Sequence, residues 1–206
     1  SGNVGTVLIF FLAPRWAIAM NWHQICGLMA CVVAVATVGF VVAVPRTTPD
    51  PSSDVEAWWH QAAQLIRRRS AYWLCFLYAI TFGGFVGLCS LLPLLLHDVY
   101  HVDAIQAGTL AAFCGLVGSA IRPVGGFVAD QHGGVRTLYY VMPIIAGAVV
   151  AVVSPSYTMA VAMMVIATAA MGFGNGVVFQ LVAEWLPRDI GLASGVVGAA
   201  GAGGGV

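Results

Sequence analysis

Lysine is absent from this chain: all eight basic residues are arginine, matched by eight acids, and charged residues make up 8% of the 206 residues. A soluble domain carries about a quarter charged residues. With 60% hydrophobic residues and a mean hydropathy of +0.93, the composition excludes a soluble globular protein and defines an integral membrane protein. Beyond Arg67-Arg68-Arg69 there is no polybasic tract, which excludes nucleic acid as a partner. The five cysteines, Cys26, Cys31, Cys75, Cys89 and Cys114, lie in apolar runs without C-x-x-C spacing and read as small packing residues rather than disulfides or metal ligands. His23, His60, His97, His101 and His132 fall at span ends or in loops, so a haem held between helices lacks axial ligands. Metalloprotease, serine-hydrolase and Walker patterns are missing, so neither an enzyme nor a cofactor is expected. Ser1 and Val206 both lie in helix-like runs without signal peptide, start methionine or polar tail, and the chain is expected to be a fragment of a longer one.

What is present is a series of long apolar runs, and the expected fold is an all-α polytopic membrane protein. Residues 4–14 are too short to cross the ~30 Å hydrocarbon core and read as the tail of a helix. The stretch from Arg15 to His23 is expected to turn the chain, and 25–44 forms the first complete span. The segment 45–70 is hydrophilic: Pro45, Pro49, Pro51, Ser52 and Ser53 break regular structure, and Trp58 to Arg69 has the pattern of an amphipathic interfacial helix. It is expected to link two bundles, 1–44 and 71–206. Further spans are expected at 71–96, 104–129, 138–153 and 157–183, with another starting near Ile190.

Arginine placement orients these spans. Arg46 and Arg67 to Arg69 lie in the linker, Arg136 in the turn near 130–137 and Arg188 in that near 184–190, whereas the turns at 97–103 and 154–156 carry no basic residue. The first set is expected on the cytoplasmic side. Arg15, which falls outside, is the single dissent.

One arginine is out of place. Arg122 lies deep in an apolar run, where a guanidinium costs roughly 2.5–3.5 kcal/mol on insertion scales and therefore faces a cavity or a counter-charge. Gly118 and Gly126 flank it at helical spacing, so a neighbouring helix backbone or a ligand has room beside it. No Asp or Glu lies at comparable depth in any span, which favours either an exogenous anion or a carboxylate in the missing half of a longer chain. Pro123 removes a backbone donor next to the arginine and can kink the helix. Tyr78 and Phe82 share a helix face beside Gly83-Gly84, an aromatic wall with a phenolic hydroxyl. Asn175, among Gly174 and Gly176, is an amide that either donates to an anion or bonds across helices. Gly195, Gly198 and Gly201 form a glycine face suited to close packing or sliding.

Gly126-Phe-Val-Ala-Asp130-Gln-His-Gly133-Gly-Val-Arg136 resembles the loop motif of the major facilitator superfamily, which lies between the second and third helices of a six-helix bundle on the cytoplasmic side. More specifically, four runs look like the nitrate/nitrite porter family. These are Arg122 to Asp130, Tyr78 to Gly87, Gly174-Asn175-Gly176-x-x-Phe179, and Ala193 to Gly204. Ser1-Gly2-Asn3-Val4-Gly5 is similar to the end of that family's first glycine-rich signature. The sequence departs from the motif at Gln131, where a basic residue often follows the aspartate, and mildly at Ala202.

The resemblance implies a major facilitator fold of twelve helices, of which this chain holds the end of the fifth, the sixth to tenth and part of the eleventh, hence mostly the C-terminal six-helix bundle. It implies an anion clamped by two arginines, one per bundle, between aromatic residues. Arg122 matches the second-bundle arginine, Tyr78 and Phe82 match site aromatics, and Asn3 matches a signature asparagine near the site. The expected activity is alternating-access transport of nitrate or nitrite through a cytoplasmic (inner) membrane, with protons as a conceivable coupling ion and the lipid bilayer as surroundings. Other readings of the residues are a carrier for another small anion such as an organic carboxylate, and a membrane receptor or structural subunit that does not transport.

Overall fold

The computed structural model describes residues 3–43, 55–154 and 156–205, apart from the side chains of 3, 4, 6, 7 and 55–58. The linker residues Arg46, Pro45, Pro49, Pro51, Ser52 and Ser53 lie outside these. The described residues form ten α-helices, α1 (Asn3–Ala19), α2 (Trp22–Ala43), α3 (Val55–Ile66), α4 (Arg69–Tyr78), α5 (Gly84–Asp98), α6 (Ala104–Ala120), α7 (Arg122–His132), α8 (Gly134–Ala151), α9 (Tyr157–Trp185) and α10 (Ile190–Gly203). A π turn, Ala79–Gly83, joins α4 to α5, and Ile121 alone separates α6 from α7. Without water in the hydrocarbon, backbone groups must bond within the segment, so apolar runs of this length become helices. Five are long and apolar enough to cross a membrane: α2, α4 through α5, α6 through α7, α8 and α9.

Several boundaries differ from the sequence reading, each for a local reason. The first helix does not stop at Pro14 but runs to Ala19, and Arg15 is satisfied there from its own helix and from α6: Nη1 donates to the Phe11 carbonyl, Nη2 to Thr109 Oγ1 of α6 at 3.0 Å, and the guanidinium carbon sits 3.7 Å from the Phe11 ring centroid. The turn is thereby confined to Met20 and Asn21. Asn21 then starts α2 with its backbone N–H bonded to Gln24 Oε1 at 3.0 Å, half of a capping box, so this span begins earlier than Ile25. The amphipathic helix of the linker ends at Ile66, and its apolar stripe is docked: Ala62 and Leu65 are buried with Leu74, Leu186 and Ala193.

The motif expected as a loop over 130–137 is almost entirely helix. α7 continues to His132, α8 starts at Gly134, and the reversal is made by Gly133 at φ 86°, a conformation that only glycine adopts without strain. Charge marks where side chains leave the hydrocarbon, not where the helix ends. Asp130 is accordingly in the last turn of α7 and Arg136 in the first turn of α8, both exposed.

α9 is the axis of the packing. α6 and α7 lie along one flank of it and α8 along another, while α4, the π turn and α5 close a third side together with α10. Glycines set the crossing of α9 with α6 and α7. A Cβ on Gly172 would lie 1.9 Å from the Gly118 carbonyl oxygen of α6, and one on Gly176 would lie 1.9 Å from the Arg122 carbonyl oxygen of α7, so backbone touches backbone at two points one turn apart on α9. α1 packs against α6 at Gly108, whose Cβ position is 2.5 Å from Pro14 Cγ, whereas α2 has no buried residue.

Candidate functional site

The side chains singled out near Arg122 converge at the crossing. Pro123 has no N–H to give the carbonyl of Ser119 four residues back, and the helix is interrupted at Ile121, so Arg122 opens α7 rather than sitting in mid-helix. Its backbone is fixed against Gly176 of α9, which leaves the guanidinium to reach across to α4. There Nη2 donates to the hydroxyl of Tyr78 at 2.9 Å. The Tyr78 hydroxyl accepts this bond and keeps its own proton to donate.

The aromatic wall is built by the π turn. Tyr78 is the last residue of α4 and Phe82 lies within Ala79–Gly83, and their rings stack 5.1 Å apart at 4°. Phe179 of α9 meets Tyr78 edge-on, 5.0 Å away at 90°. The Arg122 guanidinium carbon is 5.3 Å from the Phe82 ring centroid, within cation–π range. Gly201 of α10 closes the far side, where a Cβ would be 2.3 Å from Tyr78 Cδ1 and 3.0 Å from Phe82 Cδ1. A glycine is required there.

Asn175 is fully buried and neither of its amide atoms has a hydrogen-bond partner. It sits one residue before Gly176, hence at the level of Arg122. Among the described residues the ion pairs are Arg68 with Asp189 at 3.0 Å and His97 with Asp98 at 2.9 Å, and no carboxylate pairs with Arg122. The site thus offers guanidinium, phenol and amide donors with stacked rings, and it holds no acid. Those groups suit a small flat anion, with hydrogen bonds in its plane and aromatic faces above it.

Other expected residues fall elsewhere. Gly118 packs against Phe85 and the Thr168 carbonyl, and Gly126 stands 3.6 Å, measured from its Cβ position, from the Gly176 oxygen. Gly195 and Gly198 have nothing within 4 Å of their Cβ positions, so of the three glycines read as a packing face only Gly201 is packed among the described residues. Asn3 begins α1, and its side chain lies outside the described residues. Gly126, Asp130, Gly133 and Arg136 are at the helix ends around the Gly133 reversal, away from the rings; Arg136 lines a separate cavity with His132 and Tyr140. A cavity of 730 Å³ between Phe76, Ile80, Met142, Val149 and Met171 is apolar and does not include Arg122.

Three features escaped the reading of the site. Phe179 is a third ring against Tyr78; Gly172 and Gly176, a G-x-x-x-G pair, hold the Arg122 backbone; and the π turn sets the ring stack. The glycine pair was legible at the spacing of Gly118 and Arg122. The π turn has no signature in residue type.

An all-helical bundle with a cationic, aromatic site near the middle of its spans defines a polytopic membrane carrier fold. The sequence matches the Major Facilitator Superfamily over residues 1–206, and the chain belongs to that family. It is similar to the probable nitrate transporter NarT of Staphylococcus epidermidis, 28% identical over 206 residues that cover 99% of this chain and 52% of that protein. It is likewise similar to the nitrite extrusion protein of Bacillus subtilis, at 29% over 100% of this chain and 51% of that protein. The probable nitrate/nitrite transporter NarK2 of Mycobacterium tuberculosis H37Rv is 31% identical over 99% of this chain and 52% of its own length. The chain therefore spans about half the length of these relatives, and the resemblance to nitrate/nitrite porters is borne out by their names.

Proposed function

We propose that the protein containing this chain moves nitrate or nitrite across a cytoplasmic membrane by alternating access, with the anion held at Arg122. The observation that carries this reading is the Arg122–Tyr78 hydrogen bond beside the Tyr78–Phe82 stack, with no carboxylate on the guanidinium. Tyr78, Phe82 and Asn175 bind with it, and Asn3 completes the set from α1. The side bearing Gly133 and Arg188 is cytoplasmic, by the arginine rule. Exchange of nitrate for nitrite is favoured over proton symport, since the described spans contain no buried acid to relay a proton.

In the intact protein, labelled nitrate uptake into vesicles should fall at least about 100-fold in Arg122→Ala, the scale expected for losing two charge-assisted hydrogen bonds. Arg122→Lys should not restore it, because an ammonium is a point charge rather than a planar fork. Near-normal uptake in either variant sinks the assignment. An organic carboxylate is also planar, and competition of nitrate uptake by a panel of anions separates the two substrates. Counterflow separates a carrier from a receptor.

A further inference from the structure

The end of the bundle at Gly133 carries a crevice separate from the Arg122 site. α7 and α8 each pack more extensively on α9 than on one another, and both approach it through glycine. A Cβ on Gly125 would lie 2.1 Å from the Phe173 carbonyl oxygen, and one on Gly134 would lie 2.6 Å from Leu181 Cδ2. Between the two helices this leaves a cavity of 390 Å³, whose lining includes Val128 and His132 of α7, Arg136, Tyr140 and Val141 of α8, and Phe173 of α9. That volume is within the ~300–1,000 Å³ range of small-ligand sites.

The lining is graded with depth. His132 and Arg136 stand at the helix ends, Val128, Tyr140 and Val141 about one turn further in, and Phe173, which meets Gly125, about two turns in. Arg136 makes neither an ion pair nor a hydrogen bond with any described residue, in contrast to Arg68, which is paired with Asp189 at 3.0 Å. Asp130 does not line the cavity, and His132 is turned to its own helix, with Nδ1 3.3 Å from the Val128 carbonyl. The crevice also opens away from the first two helices: α1 packs on α6 and α2 on α1, and neither touches α7 or α8. Beside it Phe127, Val135, Tyr139 and Tyr140 are exposed, the two tyrosine rings meeting edge-on 5.6 Å apart. Exposed tyrosines at the end of a span mark headgroup depth.

We infer that this crevice binds an anionic phospholipid, its phosphate on the Arg136 guanidinium and an acyl chain over Val128, Val141 and Phe173. A guanidinium fork matches two phosphate oxygens, and a basic pocket between membrane helices at headgroup depth is where an anionic lipid is recognised. A soluble anion could use the arginine, but it has nothing to place on the apolar floor. The lipid lies at the Gly133 reversal and not at Arg122, so the site goes beyond the carrier reading and does not depend on it.

The test takes the intact protein, delipidated in detergent, and reads by native mass spectrometry its dissociation constants for phosphatidylglycerol and phosphatidylcholine with identical acyl chains. Phosphatidylglycerol should bind at least about fivefold more tightly, the size of one arginine at a headgroup. Arg136→Gln should abolish that preference, and Arg136→Lys should keep most of it. Arg188→Gln, at the same end of the bundle but outside the crevice, should leave it unchanged. Val128→Phe fills the crevice without changing charge and should weaken both lipids, with size-exclusion elution checking that the fold is retained. Glycerol 3-phosphate at millimolar concentration should not compete. Equal binding of the two lipids, a preference that survives Arg136→Gln, or displacement by glycerol 3-phosphate overturns the inference, and each leaves Arg122 as the anion site untouched.

Discussion

Arg122 is tolerated in the membrane because its partners are divided between two elements: the Tyr78 hydroxyl accepts from its guanidinium, and Gly176 of α9 abuts its backbone. The hydroxyl and the ring of Tyr78 have separable roles. Tyr78→Phe keeps the stack on Phe82 at 5.1 Å and the edge contact with Phe179 but removes the acceptor at 2.9 Å. A hydrogen bond to a charged group contributes about 1.5–3 kcal/mol. Uptake measured for Tyr78→Phe should therefore show a KM raised about tenfold or more, with protein level and elution profile unchanged. A KM equal to the wild type would mean that the hydroxyl serves only to park the guanidinium. Tyr78 and Arg122 were legible as candidates from depth and spacing. Their mutual hydrogen bond was not, because they are 44 residues apart and only the packing of both α4 and α7 against α9 brings them together.

At the scale of elements, glycine decides how closely the helices approach. α9 crosses α6 at Gly172 and α7 at Gly176 backbone on backbone, and a methyl at Gly176 has nowhere to go because the Arg122 oxygen is part of a helix. Gly176→Ala should lower stability by about 1–3 kcal/mol, the usual cost of overpacking, despite the gain in helix propensity. Gly147 of α8 has nothing within 4 Å of its Cβ position, so Gly147→Ala should be neutral or slightly stabilising. Thermal unfolding of the detergent-solubilised protein checks both; equal midpoints would remove the crossing from the account. The sequence places glycines on helices without distinguishing these two cases. Gly195 and Gly201 read alike in the chain, yet Gly201 lies on the Tyr78 ring and Gly195 faces open space.

At the scale of the molecule, α1 is joined to the rest through α6. The contact is tight at Gly108 and is tied by Arg15 to Thr109 at 3.0 Å. Arg15 was the one arginine that dissented from the orientation rule, and in the structure it is a helix-to-helix tie rather than a loop charge. Arg15→Ala should reduce thermal stability by about 1.5 kcal/mol, and Thr109→Val by a similar amount. The double variant should lose less than the sum, since both remove one interaction. Additive losses would show that the two side chains act independently.

The sequence by itself determined that this is a helical membrane protein, where its spans run to within a few residues, and that Arg122 is the charge to explain. Those follow from composition and run length, which a hydrocarbon solvent reads directly. Tertiary structure alone decided which glycines are packed, that Phe179 joins the aromatic wall, and that the buried Asn175 amide has no hydrogen-bond partner among the described residues. Such facts depend on which helix faces which, at what depth and how closely. Periodicity fixes a face on one helix but not its neighbour, and the π turn at Ala79–Gly83 shifts even that face without any mark in residue type.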